Sequence, residues 1–385
     1  YNQIAMGFGE RIGAVKRLYK QETQYTFDDV LLVPTFNENL ISRRFIDKSC
    51  SFTNIKGESV HLSLPIISPP MSFYWEKFGK ELVKHKVLYS IPRINRTLEE
   101  RFDLLEKFEV ESRKYLVFSV GVKELKREDL RKSFEKNINN YSFILIDTAF
   151  GSNNEVFDIL DYLSSLGIDR GVIVGNVASI EGVYYLAKNV WNKYKEIFIR
   201  VGIGSGSACT TRLKTGVGFP QLSILEIISK FLGKTDFDKG FNNTVDKVLL
   251  YFEDLVEKLN NGFSVQIIAD GGIKTTGDIA KALVYSDIVM LGKLLISKEM
   301  ETYDKDSDTA RYYGMASIYV GNSYAEGDIY VKKNPKSLLE ILSDIDMALG
   351  SSFSYVGASN LKEFKEKADF VRISNNSWIE SKVNP

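Results

Sequence analysis

Eight short apolar runs, separated by stretches of helical periodicity, set the tightest limit on what this chain can fold into. They are LPIIS (64–68), VLYSIP (87–92), YLVFSVGV (115–122), FILIDTAFG (143–151), VIVGNV (172–177), IFIRVGIG (197–204), VQIIADGG (265–272) and DIVMLGK (287–293). Each run is apolar on both alternating faces, which suits a strand only when helices cover both sides of its sheet. The intervening segments, such as EVFDILDYLSSLG and TTGDIAKALVY, repeat at the helical period. Eight such units over about residues 60–295 predict an α/β fold, a closed (β/α)8 TIM barrel rather than an open sheet. A Rossmann sheet also lacks its signal, because no G-x-G-x-x-G with a following acidic residue succeeds the first run.

Two segments exceed a minimal barrel. Positions 222–262 make an elongated connection between the sixth and seventh strands. Within it Val245, Val248, Leu249, Phe252, Val256 and Leu259 predict an extended or additional helix, a surface elaboration, with Thr244 as N-cap and Gly262 as stop. Residues 298–333, polar and rich in tyrosine, predict a flap, after which Asn334-Pro335 opens a helix that Gly350 ends. The expectation is one catalytic domain over 1–385, with the flap and C-terminal segment at about 298–385.

Charge narrows the partners. Lys+Arg and Asp+Glu both number 50, so the net charge is zero, and binding to nucleic acid, which relies on a basic surface, is not expected. No run of about 18 apolar residues offers a membrane span. The opening YNQIAMGFGERIGAVKRLYK carries no apolar secretory core, and two cysteines fit a reducing compartment. A cytoplasmic protein is the expectation.

Chemistry concentrates at the C-terminal ends of the runs, where barrels of this kind place their sites. VGIGSGSACTTRLKTGVGFPQ (201–221) sets Cys209 among glycines, serines and threonines, an unusual place for a thiol serving only to fill a core. Arg212 and loop amides are the groups that would favour its thiolate. Cys50 has no such setting and reads as structural. Asp270-Gly271-Gly272 and Gly292 end the seventh and eighth runs, where glycine lets backbone amides approach an anion and Asp270 can accept from sugar hydroxyls. His61 and His85 are too few and too far apart for a metal centre or a hydrolytic triad.

Taken together, GxGSxCTTR, the following GVGxPQ, ADGGI and the terminal MLG resemble the IMP dehydrogenase/GMP reductase family, from TFDDVLLVP (26–34) to YVGASNLKEFKEKADFVRIS (355–374). The resemblance implies that Cys209 attacks C2 of a purine nucleotide and forms a thioimidate, with a nicotinamide cofactor exchanging hydride at that carbon. KTGVGFPQLS, the absence of room for regulatory CBS domains and a short flap look like the reductase branch. That flap runs from Gly314-Met315-Ala316-Ser317 to Glu326-Gly327 and holds no Arg-Tyr pair. The resemblance thus implies NADPH-dependent reductive deamination of GMP to IMP, with Thr211 and Glu326 moving the proton to the leaving ammonia.

By the same resemblance, Met71, Ser207, Asp270, Gly271, Gly272, Gly292, Lys293, Gly314, Met315, Ala316 and Gly327 would hold the nucleotide. Ser42, Arg43, Arg93, Asp147, Thr148, Ala149, Ser351 and Ser354 would hold the cofactor. Gly204, Gly206, Cys209 and Arg212 would hold a monovalent cation such as K+. A homotetramer is likewise implied. The chain departs from the family where Arg93 replaces a lysine, Lys293 a glycine, and Ser323 and Gly350 two arginines. Two other readings stay open: oxidation of IMP by NAD, and a nucleotide-binding relative with altered substrate or no activity.

Overall fold

The computed structural model describes residues 2–21, 23–36, 45–148, 150–206, 209, 211–314 and 329–382. The eight runs form eight parallel strands, β4 (Ile66–Ile67), β5 (Tyr89–Ile91), β6 (Leu116–Val120), β7 (Phe143–Ile146), β8 (Val172–Val177), β9 (Glu196–Val201), β10 (Ser264–Asp270) and β11 (Ile288–Met290). β11 pairs with β4, and β4 meets β5 through the Ile67–Leu88 bridge, so the sheet returns on itself as a (β/α)8 TIM barrel. β5, β6 and β7 are buried at every position, as strands covered on both faces must be.

Helices α2 (Glu76–Lys84), α3 (Leu98–Glu106), α4 (Glu128–Lys136), α5 (Asn154–Ser165) and α6 (Ile180–Val190) fill the first five crossovers. Side chains of Thr97, Asn153 and Ser179 cap α3, α5 and α6 by accepting from amides of their first turns. Helix α11 (Thr276–Leu283) links β10 to β11, and α12 (Leu338–Tyr355) follows β11 and packs between α11 and α2, completing the outer ring.

The sixth crossover is more finely divided than the extended or additional helix expected there. It contains α7 (Thr211–Thr215), α8 (Gln221–Phe231), α9 (Val245–Leu249) and α10 (Glu253–Asn260). Every residue of α8 is buried. Its Glu226 pairs with Lys230 at 2.9 Å and accepts from the amide of Phe241, while Lys230 donates to the Asn242 carbonyl at 3.0 Å. The periodic stretch breaks between α9 and α10, because a turn there lets Phe252 pack edge-on against Tyr184 and Phe231. Thr244 precedes α9 without a side-chain cap bond, and Gly262 follows α10 with φ +104°, a stop as expected. Gly350 does not end α12: it is buried inside the helix, and Gly357, at φ +77°, follows the true end. The start is set by Ser337, whose hydroxyl accepts from the Glu340 amide.

Four further pieces decorate the barrel. The β2 (Cys50–Thr53) and β3 (Ser59–Leu62) hairpin covers the N-terminal ends of the strands, with the Phe52 ring on Phe198 and the Ile55 amide on the Ser142 carbonyl. At the other end, β12 (Thr309–Tyr313) and β13 (Ile329–Lys333) form a hairpin flanking residues 315–328, which lie outside the described set. Strand β1 (Val30–Leu32) pairs antiparallel with β14 (Phe370–Arg372). Helix α1 (Asn2–Gln21) packs on α9. No helix among the described residues is long and apolar enough to cross a membrane.

Candidate active site

The strand ends of the barrel mouth converge on a chain of charges. Arg200, on β9, carries a guanidinium that joins two strand-end carboxylates. It donates to Asp270 Oδ2 through Nε (3.2 Å) and Nη2 (3.0 Å), and its Nη1 stands 3.7 Å from Asp147 Oδ1. Asp147, just after β7, is also paired by Arg93 Nε at 3.0 Å, and its carbonyl accepts from Arg93 Nη2 at 3.1 Å. Asn176 lies where the β8–β9 register slips, and its amide donates to Asp270 Oδ2 (2.7 Å) and the Gly202 carbonyl (2.9 Å). These bonds take Asp270 Oδ2 and leave Oδ1 to accept from a ligand hydroxyl. Charges this enclosed are tolerable only because each is paired and hydrogen-bonded.

The loop after β9 arches over this network. Cys209 is exposed, and its thiol donates to the Thr211 hydroxyl at 3.1 Å. Gln221, buried at the start of α8, holds the loop's base: its amide donates to the Val201 carbonyl (2.8 Å) and its oxygen accepts from the Ser205 hydroxyl (3.2 Å). Arg212 donates to the Phe219 carbonyl. Its side chain lies so close to Gly204 and Gly218 that a Cβ on either would come within 2.6 Å of it, so the loop winds around this arginine. The structure therefore gives Arg212 a scaffolding bond across the loop.

The phosphate corner expected after β10 and β11 is framed by aromatic side chains. Tyr74 donates to the Gly292 carbonyl at 2.6 Å, and the Tyr312 hydroxyl sits where a Cβ on Gly292 would come within 2.2 Å, so a side chain there would displace the Tyr312 ring. Lys293 Nζ lies over the Tyr330 ring, 3.7 Å from its centroid. Tyr312 and Tyr330 are cross-strand partners in the β12–β13 hairpin, so one hairpin face grips this corner. Gly271 and Gly272 follow Asp270 with φ of +103° and +77°, and Met71 follows β4 in a turn closed by its carbonyl on the Tyr74 amide.

The pattern of the IMP dehydrogenase / GMP reductase domain matches residues 24–238 and 254–384. The chain belongs to this family. A GMP reductase of Buchnera aphidicola is 28% identical over 371 residues, covering 92% of this chain and 96% of that protein. GMP reductases of Shewanella halifaxensis (27% over 376 residues, 92% and 96% covered) and Staphylococcus aureus (29% over 362 residues, 91% and 97% covered) are similar to it in the same way. The family is one of oxidoreductases acting on purine nucleotides with a nicotinamide cofactor.

Of the residues that the resemblance singles out, Cys209 and Thr211 lie in contact, and Arg93, Asp147 and Asp270 join one network. Thr148 is half-buried beside Asp147. Gly314 follows β12 and is the last described residue before 315–328. Ser42, Arg43, Ala149, Ser207, Met315, Ala316, Glu326 and Gly327, with Ser323, lie outside the described residues. Ser351 and Ser354 are not brought to the mouth within one chain. The start of α12 is tied to the segment after β11 by the Leu338 amide on Glu299, and Asp346 further along pairs at 2.8 Å with Lys48, which leads into β2, so the C-terminal half runs toward the end covered by the β2–β3 hairpin. Ser351 there donates to the Met347 carbonyl. Of the residues expected to hold K+, Gly206 accepts from the Cys209 amide through its carbonyl and Arg212 from the Gly216 amide through its own. Among the described residues, no cluster of His, Cys, Asp and Glu offers a metal site. Sequence reasoning missed Arg200, Asn176, Gln221, Tyr74 and Tyr312. For Arg200 a signal was present, since a charge inside the apolar run IFIRVGIG requires buried carboxylates.

Proposed function

We propose that this protein reductively deaminates GMP to IMP and ammonia, consuming NADPH, through a covalent intermediate on Cys209. The observation that carries the proposal is the Cys209–Thr211 contact of 3.1 Å in the loop over the barrel mouth. The GMP reductases similar over more than nine-tenths of the chain support it.

The chain's residues divide the work. Asp270, clamped by Arg200 and Asn176, offers Oδ1 to the ribose. The Cys209 thiol adds to C2, forming a C–S bond, and its proton passes through Thr211 and Glu326 to the exocyclic amine. The C2–N bond breaks, ammonia leaves, and a thioimidate remains. The donor set of Arg93, Asp147 and Thr148 fits the polar carboxamide of a nicotinamide, and that cofactor supplies hydride to C2 when bound. The C–S bond then breaks, IMP departs, and the thiolate regains a proton. Carboxylate-backed proton transfer of this kind contributes about 10²–10⁴-fold.

The test supplies GMP with NADPH and follows the absorbance of the reduced cofactor together with released ammonia. Loss of reduced cofactor matched by ammonia is expected. Formation of NADH from IMP and NAD, without turnover of GMP, would reverse the direction assigned here.

A further inference from the structure

Helix α1 stands outside the eight barrel units, yet one of its side chains reaches the nucleophile loop. The Tyr19 hydroxyl accepts from the amide of Ile180, first residue of α6, at 2.8 Å, and donates to Glu181 at 3.3 Å. Burial, and then the Glu181 carboxylate, raise its phenol far above the ordinary range, so the group stays neutral. Its ring meets Phe219 edge-on, with centroids 5.3 Å apart. The Phe219 carbonyl is the acceptor for Arg212, the side chain around which the loop winds. Away from the loop, Arg11 fixes the same helix by donating to the Tyr184 hydroxyl at 2.7 Å and pairing with Asp254 at 3.5 Å.

A glycine-rich segment carries little order of its own, because each glycine loses more conformational freedom on being fixed than any other residue. Gln221 secures the base of this loop, and the Tyr19–Phe219 contact braces its return limb. We propose that Tyr19 is a positioning residue for Cys209, acting through Phe219 and Arg212 to hold the Cys209–Thr211 pair in register with the mouth. The kinetic part of this inference rests on the reaction proposed above; the placement of the thiol does not.

The experiment measures alkylation of Cys209 by iodoacetamide, read by peptide mapping, alongside steady-state kinetics with GMP and NADPH. Cys50, whose thiol burial pushes up to about 12, is the unreactive reference in the same map. Misplacing reacting atoms by about 1 Å costs on the order of a hundredfold, so Tyr19→Ala should lower kcat by about tenfold or more. KM for GMP should change much less, and the Cys209 alkylation rate should shift clearly from wild type. Tyr19→Phe keeps the ring against Phe219 and should restore both readouts even if its melting temperature falls. Phe219→Ala attacks the contact from the loop side and keeps the test available should Tyr19→Ala not fold. It should match Tyr19→Ala, and the double variant should lose no more than either single one, as for two halves of one interaction. Wild-type alkylation and kcat in folded Tyr19→Ala or Phe219→Ala would overturn the proposal, whatever their stability. If the wild-type protein leaves GMP untouched, the reaction reading fails while the alkylation rates still decide this one.

Discussion

Cys209 and Cys50 are the same side chain in opposite surroundings. One is exposed beside a threonine hydroxyl; the other is half-covered in the bottom hairpin, where burial and then Asp287 push its thiol up to about 12. Cys209→Ala should abolish turnover and keep GMP affinity near wild type, while Cys50→Ala should keep most of the rate. Initial rates and equilibrium dialysis check this, and comparable losses in the two variants would undo the assignment. Arg200 makes a second case. Arg200→Met leaves Asp147 with Arg93 and Asp270 with Asn176, each carboxylate short of one partner. Removing one member of a buried pair costs about 3–5 kcal/mol, and these remaining partners place the expected loss at or below the lower end of that range. Urea unfolding reads the loss, and KM for GMP should rise as Asp270 loses its orientation. An unchanged midpoint with unchanged KM would show that Arg200 organises neither. The unusual setting of Cys209 was legible in the sequence because a polar, glycine-rich context around a thiol is rare, whereas Thr211 was singled out only by the resemblance. Asn176 was not legible, and for Arg200 only the odd charge in an apolar run could be read, since the partners of both are brought together only when distant strands close into a ring.

At the level of elements, strands were easier to read than helix limits. Runs apolar on both faces have one use in an α/β fold, and all eight became barrel strands. Periodicity alone could not show that α9 and α10 break so that Phe252 can wedge between Tyr184 and Phe231. Nor could glycine content mark the end of α12: Ser337 with Glu340 was the better local signal, a capping pattern at the start, and Gly350 proved to be a packing residue. Helix α13 (Leu361–Lys367) carries the pH-dependent element of the scaffold. Its Lys365 donates to the Ser286 carbonyl beside Asp287, and burial pushes the ammonium from 10.5 down to about 8. Between those values the unfolded chain binds the proton and the folded one does not. The stability cost of burying this charge is therefore full below about pH 8 and fades as pH rises toward 10.5. Against Lys365→Met, the wild-type protein should gain stability across that window in chemical unfolding series. Parallel curves for the two would rule out Lys365 as the source.

For the whole molecule, the barrel makes one mouth of parts spread from residue 71 to residue 314, so a ligand bound there is linked to global unfolding. GMP at about one hundred times its Kd adds about 2.7 kcal/mol to stability. For 385 residues, with an unfolding entropy of about 2.1 cal/mol/K each, the melting temperature should rise by about 3 °C. Differential scanning fluorimetry resolves that shift, and it should persist in Cys209→Ala, because reversible binding does not need the thiol. An equal rise with a pyrimidine nucleotide would remove the purine preference from the reading.

The β1–β14 clasp has a mechanical consequence. Val30 faces Arg372 and Leu32 faces Phe370, with the Ile373 amide on the Asp29 carbonyl extending the ladder outward. A pull applied to residues 29 and 373 therefore loads these bonds one at a time from the outer end, as a zipper opens, instead of all together in shear. The clasp should part at low force while the barrel behind it stays shut.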